Sequence, residues 1–418
     1  MFEITTLANG ARVALEVIPF VRSVSFGLWV LSGARNETAQ TSGISHFIEH
    51  MLFKGTNTRT AKEIADEMDA IGGQMNAYTT KEYTCYHARV LDTHLEKAVD
   101  VLADMFFRSA FDDAEIDRER NVILEEISMY EDNPEDIAHD MLQSTVWSGS
   151  ALGQPILGTA ESISTFTHDT FADYMRRNYR PENTVIAIAG NFERDKVLAL
   201  LEQVFDAFPA APEYAMPAFQ VDYKPATVAT SKDVEQLHMC VGFPGIVAGS
   251  DDAYVLAALN TYFGGGMSSR LFQTLREEHG MVYSIYSYNE SYLSAGLFNI
   301  YAALNPAQAE AAMGLIREEI ARLFASKITA AELEKTKEQL KSSYLLSLES
   351  SSSRMSSIGR STLLMNRILS PDELIQRIDA VTLERVYALA ERIFRREQMS
   401  LSVAGSLKGI DVNALCGA

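Results

Sequence analysis

Apolar and polar positions follow two rhythms along this chain. Runs such as Arg12–Val17 and Ser23–Val30 are short and rich in β-branched or aromatic residues, the pattern of strands. Longer stretches such as Leu95–Arg108 bring apolar residues back every three to four positions, the pattern of helices with one buried face. Strands and long helices alternate throughout, which predicts an α+β fold.

The rhythm occurs twice. Ala114-Glu115-Ile116-Asp117-Arg118 opens a helical stretch ending near Tyr130, and Ala331-Glu332-Leu333-Glu334-Lys335 opens a similar one ending near Tyr344. Further on, Arg180-Pro181-Glu182-Asn183 leads into the apolar run Val185–Gly190, as Arg395-Arg396-Glu397-Gln398 leads into Leu401–Gly405. Landmarks recurring in one order at a nearly constant offset indicate a duplicated domain. Between the copies, Phe208–Pro225 contains Pro209, Pro212, Pro217 and Pro225, which resist both continuous helix and central strand. The expected division is a domain over 1–210, a Pro-containing linker over 211–225 and a second domain over 226–418.

Within the first copy, Thr41–Thr56 reads as one helix, with Ser42 suited to its start and Lys54-Gly55 to its end. His46 and His50 are four apart on it, one turn from each other on one face, the spacing at which two imidazoles bind one zinc ion. Glu49 borders that face, while Phe47, Ile48, Met51 and Leu52 point elsewhere. A buried pair of imidazoles with a carboxylate is costly unless partnered, and a metal is one such partner. A solvated face carrying two histidines is the competing reading. A third ligand must come from another segment. The best candidate is Glu115–Tyr130, where Glu119 and Glu126 lie two turns apart on one face with Val122 and Ile123 between them, and Glu125 points about 100° away. Aligning Ala114 with Ala331 puts Thr336 opposite Glu119 and Ser343 opposite Glu126, so the second copy lacks these acids.

Charge and cysteine content narrow the classes of function. With 36 Lys and Arg against 56 Asp and Glu, the formal net charge of -20 disfavours nucleic acid, whose binding rests on neutralising phosphates, and favours basic peptides. Cys85, Cys240 and Cys416 are odd in number and unpatterned, which suggests neither a disulfide framework nor a thiolate zinc site. No apolar run reaches the roughly 18 residues of a membrane span, and the start lacks the basic-then-apolar pattern of a secretory signal. The expectation is a cytoplasmic protein with no membrane partner. Gly264-Gly265-Gly266 lacks the Lys-Ser/Thr ending of a phosphate-binding loop.

At His46-Phe47-Ile48-Glu49-His50, Phe53-Lys54-Gly55-Thr56, Gly72-Gly73 with Asn76-Ala77-Tyr78-Thr79, Glu119–Glu126 and Gly264–Leu271, the chain resembles the pitrilysin and insulin-degrading enzyme family. These are zinc peptidases with an inverted His-x-x-Glu-His motif, and this chain looks closest to the short members related to the processing-peptidase β subunit. The resemblance covers essentially the whole length. It implies two duplicated domains, each a mixed, mostly antiparallel sheet flanked by helices. It also implies one Zn2+ per chain held by His46, His50 and Glu126, with Glu49 as general base and Glu119 as a supporting carboxylate. Asn76 and Ala77 are then placed on an edge strand that pairs with the substrate backbone, and Arg276 and Tyr283 on the residues that reach its carbonyl. Asp136 and Asp140, four apart just beyond Glu126, fall where the processing peptidases hold a substrate Arg. The family's closed chamber is built from four such domains. This chain has two, so the resemblance implies a homodimer acting on peptides. Two rivals follow from the same fold: a non-catalytic assembly subunit and a peptide-binding chaperone.

Overall fold

The computed structural model describes residues 2–206, 208 and 221–416, so most of the expected linker, 211–220, lies outside the described residues. In chain order the elements of the first copy are β1 (Phe2–Thr6), β2 (Arg12–Val17), β3 (Ser23–Val30), α1 (Ile44–Leu52), α2 (Ala61–Ala70), β4 (Gln74–Thr79) and β5 (Thr84–Leu91). They continue with α3 (Leu95–Arg108), α4 (Asp113–Asp132), α5 (Pro134–Val146), α6 (Ala160–Ile163), α7 (His168–Asn178), β6 (Thr184–Gly190) and α8 (Arg194–Phe205). The second copy runs through β7 (Thr227–Ser231), β8 (Leu237–Pro244), α9 (Ala253–Phe263), a π-helical turn (Phe272–Glu278), β9 (Val282–Ser291) and β10 (Gly296–Leu304). It closes with α10 (Ala309–Ala325), α11 (Ala330–Ser347), α12 (Ser351–Met365), α13 (Pro371–Asp379), α14 (Leu383–Ile393), β11 (Ser400–Gly405) and α15 (Val412–Cys416). The α+β reading holds, and β2, β3 and α3 have the bounds their sequence patterns suggested.

The duplication is legible in the strand order. The first sheet runs β1-β2-β6-β3-β5-β4 and the second β7-β11-β8-β10-β9, the same arrangement less one edge strand. Each contains a single parallel pair, β2 with β6 and β7 with β11, and is otherwise antiparallel.

The chain forms two compact units, and neither is contiguous. One comprises Met1–Ile127, Gln154–Ala218 and Leu346–Ser370; the other comprises Ser128–Gly153, Phe219–Leu345 and Pro371–Ala418. The first sheet buries one face in a core that includes Phe26, Leu28, Phe47, Met51, Tyr86, Leu102 and Ile123. Its opposite face, with Ala14, Trp29, Cys85 and Val185, is covered by Met355, Ile358 and Leu363 of α12. Here Gly359 is required by close approach, because a Cβ would run into the Trp29 ring. In the second unit α5 plays the corresponding part: Ala138, Leu142 and Val146 cover Cys240, Leu297 and Ala404. Each sheet is thus finished by a helix from the other half of the sequence, an arrangement that differs from the contiguous division at 211–225.

A second duplicated device anchors the loop after α1. Asp104 of α3 is fully buried and accepts hydrogen bonds from Thr56 Oγ1 (2.7 Å), Thr58 Oγ1 (2.8 Å) and Arg108 Nε (2.5 Å), with Arg59 Nη1 at 2.8 Å. Glu319 of α10, also fully buried, binds Arg270 and Arg322 at 2.8 Å each. A buried carboxylate is tolerable only with such charged and hydroxyl partners.

Candidate metal centre

The helix carrying the histidines is shorter than its sequence suggests. Thr41 belongs to a separate 3-10 turn, Ala39–Thr41, and α1 begins at Ile44. Ser42 is not the cap, since its hydroxyl is buried with no hydrogen-bond partner. Gly43 instead occupies the N-cap at φ +89°, where a Cβ would also stand 2.5 Å from the Leu157 carbonyl oxygen. The first amides are satisfied from six residues upstream: Glu37 accepts from Gly43 N–H at 2.7 Å and from Ser45 N–H at 2.9 Å. Burial pushes the Glu37 carboxyl up to about 7, although the two amides draw it the other way. Phe47, Ile48, Met51 and Leu52 are buried and fix the rotation of α1, leaving His46 and His50 on its remaining face.

On that face the two imidazoles stack edge to face, ring centroids 4.6 Å apart. Both Nε2 atoms lie 3.7 Å from one atom, Glu126 Oε2. Among the described residues these three form the only group of His, Cys, Asp or Glu side chains whose ligand atoms all lie within 4.8 Å of one another. The 3.7 Å spacings are too long for hydrogen bonds. They are not ion pairs through His46 either, because burial and then His50 hold its imidazole down to about 3, so it is neutral. Two ring nitrogens and a carboxylate oxygen therefore face one another at distances longer than a hydrogen bond. That is the donor set of a small cation: ligand atoms roughly 2.0–2.1 Å from a tetrahedral zinc sit about 3.4 Å apart. The residues present fit the ion.

Around this set stand carboxylates with distinct partners. Glu119, 4% exposed, accepts from His50 Nδ1 at 3.1 Å through Oε2 and from Lys54 Nζ at 2.6 Å through Oε1. Glu49 accepts from Thr79 Oγ1 of β4 at 2.6 Å. Burial raises the Glu49 carboxyl above its ordinary range; Thr79 and His50 counter this, and Glu126 adds to it. Glu125 is exposed, as its helical phase implied. Val122 is not on the buried side of α4: it is 47% exposed, and of the two apolar residues between Glu119 and Glu126 named from the sequence, Ile123 is the one that packs inward. β4, which carries Asn76 and Ala77, is an edge of the first sheet.

The remaining expected site residues belong to the second unit. Arg276 is on the π-helical turn and Tyr283 on β9; the guanidinium carbon lies 5.7 Å from the Tyr283 ring centroid and 5.0 Å from that of Phe272. Tyr283 is 72% exposed, so the pair forms an open patch. Asp136 and Asp140 lie on α5, with Asp136 accepting from Asn133 Nδ2 at 2.6 Å. In the glycine run after α9, Gly264 is required by packing: it lies against β9, where a Cβ would meet Ser287, and its carbonyl accepts from Ser287 N–H at 3.0 Å. Sequence reasoning missed two partners, Thr79 and Lys54. Both stood inside motifs noted for their pattern, yet only tertiary pairing reveals what their polar atoms touch.

This fold and donor set define a class, and sequence comparison agrees. Residues 12–160 match the family model described as insulinase (peptidase family M16), and residues 165–340 match that of the peptidase M16 inactive domain. The chain belongs to the insulinase family, peptidase family M16. It is 46% identical over 395 residues to the uncharacterized zinc protease YmxG of Bacillus subtilis, covering 94% of this chain and 95% of that one. Its fold is shared with a solved protease from Helicobacter pylori (TM-score 0.91, 24% identity, 97% and 99% of the two chains). It is shared too with a chain of Complex III2 from Candida albicans (TM-score 0.85, 22% identity, 99% of each chain).

Proposed function

We propose that this chain is a zinc metalloendopeptidase that holds one Zn2+ through His46, His50 and Glu126 and uses Glu49 as general base. The observation that carries this reading is the convergence of both Nε2 atoms on a single oxygen of Glu126. Zinc bound there would lower the pKa of a coordinated water and polarise the scissile carbonyl. Glu49, desolvated yet steered by Thr79, takes a proton from the attacking water and returns it to the departing amine. Glu119 fixes His50 through Nδ1. β4 is an edge strand, and at Asn76 and Ala77 an extended peptide can pair with it once the Ala77 N–H gives up its 2.8 Å bond to Asn76 Oδ1. Arg276 and Tyr283 are assigned to the carbonyl oxygen of the substrate, where a donor stabilises developing charge.

The test separates metal binding from chemistry. A Glu49→Gln chain should keep its zinc and lose nearly all peptidase activity, whereas His50→Ala should lose both. Full zinc in His50→Ala by elemental analysis, or high turnover by Glu49→Gln, overturns the assignment. A core subunit without catalysis, as the fold alone allows, has no use for this donor set.

The working unit in this reading is a homodimer enclosing its substrate, and the preferred sites lie near basic residues. The net charge of -20 and the acids Asp136 and Asp140 on one face of α5 support that preference. The double variant Asp136→Asn with Asp140→Asn should cleave Arg-containing and Arg-lacking peptides at more nearly equal rates. An unchanged ratio removes those acids from the specificity.

A further inference from the structure

We propose that Lys54 is a positioning residue of the metal centre: through Glu119 it sets the orientation of His50. The inference rests on the metal reading above and adds a residue to it. Glu119 is buried, and its two oxygens are divided between two partners, His50 Nδ1 at 3.1 Å and Lys54 Nζ at 2.6 Å. Without the ammonium one oxygen has no partner, and the carboxylate is free to turn towards whatever donor remains. With it, Oε2 is fixed on Nδ1–H, which leaves the Nε2 lone pair of His50 aimed at Glu126.

Lys54 is well placed for this task. It follows the C-cap Phe53 of α1, with its own N–H on the Met51 carbonyl at 3.0 Å, where a cation also complements the helix C-terminus. It lies four residues beyond His50, so its ammonium reaches Glu119 from the side of the same turn. The chain just after it is pinned by the bonds of Thr56 and Thr58 to Asp104. The two imidazoles also differ in support. His46 Nδ1 is buried with no hydrogen-bond partner, so its ring is held by packing, and His50 is the histidine ligand held by hydrogen bonding. In the second copy Thr336 stands where Glu119 stands in the first, and its hydroxyl turns back onto the Glu332 carbonyl of its own helix at 2.9 Å. The device is missing where the ligands are missing.

Zinc affinity, read by competition with a chromophoric chelator at fixed pH, tests the inference without reference to turnover. Lys54→Met should bind zinc at least tenfold more weakly than the wild-type chain, the scale of an outer partner of a metal ligand, and Lys54→Arg should recover most of the loss. The double variant Lys54→Met with Glu119→Gln should bind no more weakly than Glu119→Gln alone, because both changes break one chain of contacts. Lys54→Gln serves as a second neutral variant, and circular dichroism checks folding; the side chain is 31% exposed, so the fold is expected to survive. Wild-type affinity in the neutral variants, or losses that multiply in the double variant, overturns the role of Lys54 while leaving the metal site intact. A wild-type chain that binds no zinc, or a His50→Ala chain that binds it as tightly, overturns the metal reading and this inference with it.

Discussion

Thr79 shows what a single hydroxyl contributes. Its Oγ1 donates to Glu49 Oε2 at 2.6 Å, so the proposed base is held by a neighbour on a strand rather than by its own helix. Replacing Thr79 with Val keeps the shape and removes the donor. Turnover should fall about tenfold, a part of the roughly 10²–10⁴ that a general base supplies, with zinc content unchanged. Steady-state kinetics beside elemental analysis checks this, and a Thr79→Val chain with wild-type kcat would mean that Glu49 is oriented by other contacts. At this scale the sequence was most informative where spacing along one helix does the work. His46 and His50 at i, i+4 were legible, as were Glu119 and Glu126 two turns apart. Thr79 and Lys54 were not, because their partners lie 30 and 65 residues away along the chain.

Elements were legible in their interiors and less so at their ends. Patterning placed β2, β3 and α3 correctly but began α1 too early, because Gly43 is its N-cap and its first amides are satisfied by the distant carboxylate of Glu37 instead of the adjacent hydroxyl of Ser42. A cap reached through a loop leaves no trace in local spacing. The loop after α1 depends in the same way on Asp104. Burial alone would raise that carboxyl, but bonds from Thr56, Arg108, Arg59 and Thr58 outweigh it and hold it at about 2. Being lower in the folded than in the unfolded chain, this pKa makes Asp104 stabilising above about pH 4, with the contribution lost as pH falls towards 2. Asp104→Asn should therefore destabilise the protein by about 3 kcal/mol at pH 7. In urea titrations the gap from wild type should stay level down to about pH 4 and begin to close below it. A gap that closes already between pH 7 and 5 would assign the effect to another group.

For the whole molecule, the duplication could be read from recurring landmarks, but the provenance of α5 and α12 could not, since nothing in a helix's own periodicity says which sheet it will cover. The proposed homodimer makes a prediction at this scale. The exposed Arg276–Tyr283 patch is assigned to the zinc site of the partner chain, following the four-domain chamber of the family it resembles. Glu49→Gln alone and Arg276→Ala with Tyr283→Phe alone should each be nearly inactive. Co-expressed under different tags and doubly purified, the two should regain activity at one site in two, because one site then has an intact Glu49 and an intact pair from the other chain. A confirmed heterodimer with zinc bound and no recovered cleavage sinks the shared site.

The helix that closes the first sheet also sets a timetable. During synthesis all six strands of that sheet have been made once β6 ends at Gly190, yet α12, which covers Trp29 and Val185, begins only at Ser351. At roughly 5–20 residues per second the nascent sheet waits on the order of ten seconds or more with that apolar face bare. Over that interval the growing chain carries a sticky surface that nothing encoded so far can hide. The crowded Trp29–Gly359 contact is therefore among the last parts of the first unit to be made, and the unit that holds His46, His50 and Glu126 is completed only once the segment ending at Ser370 has been made.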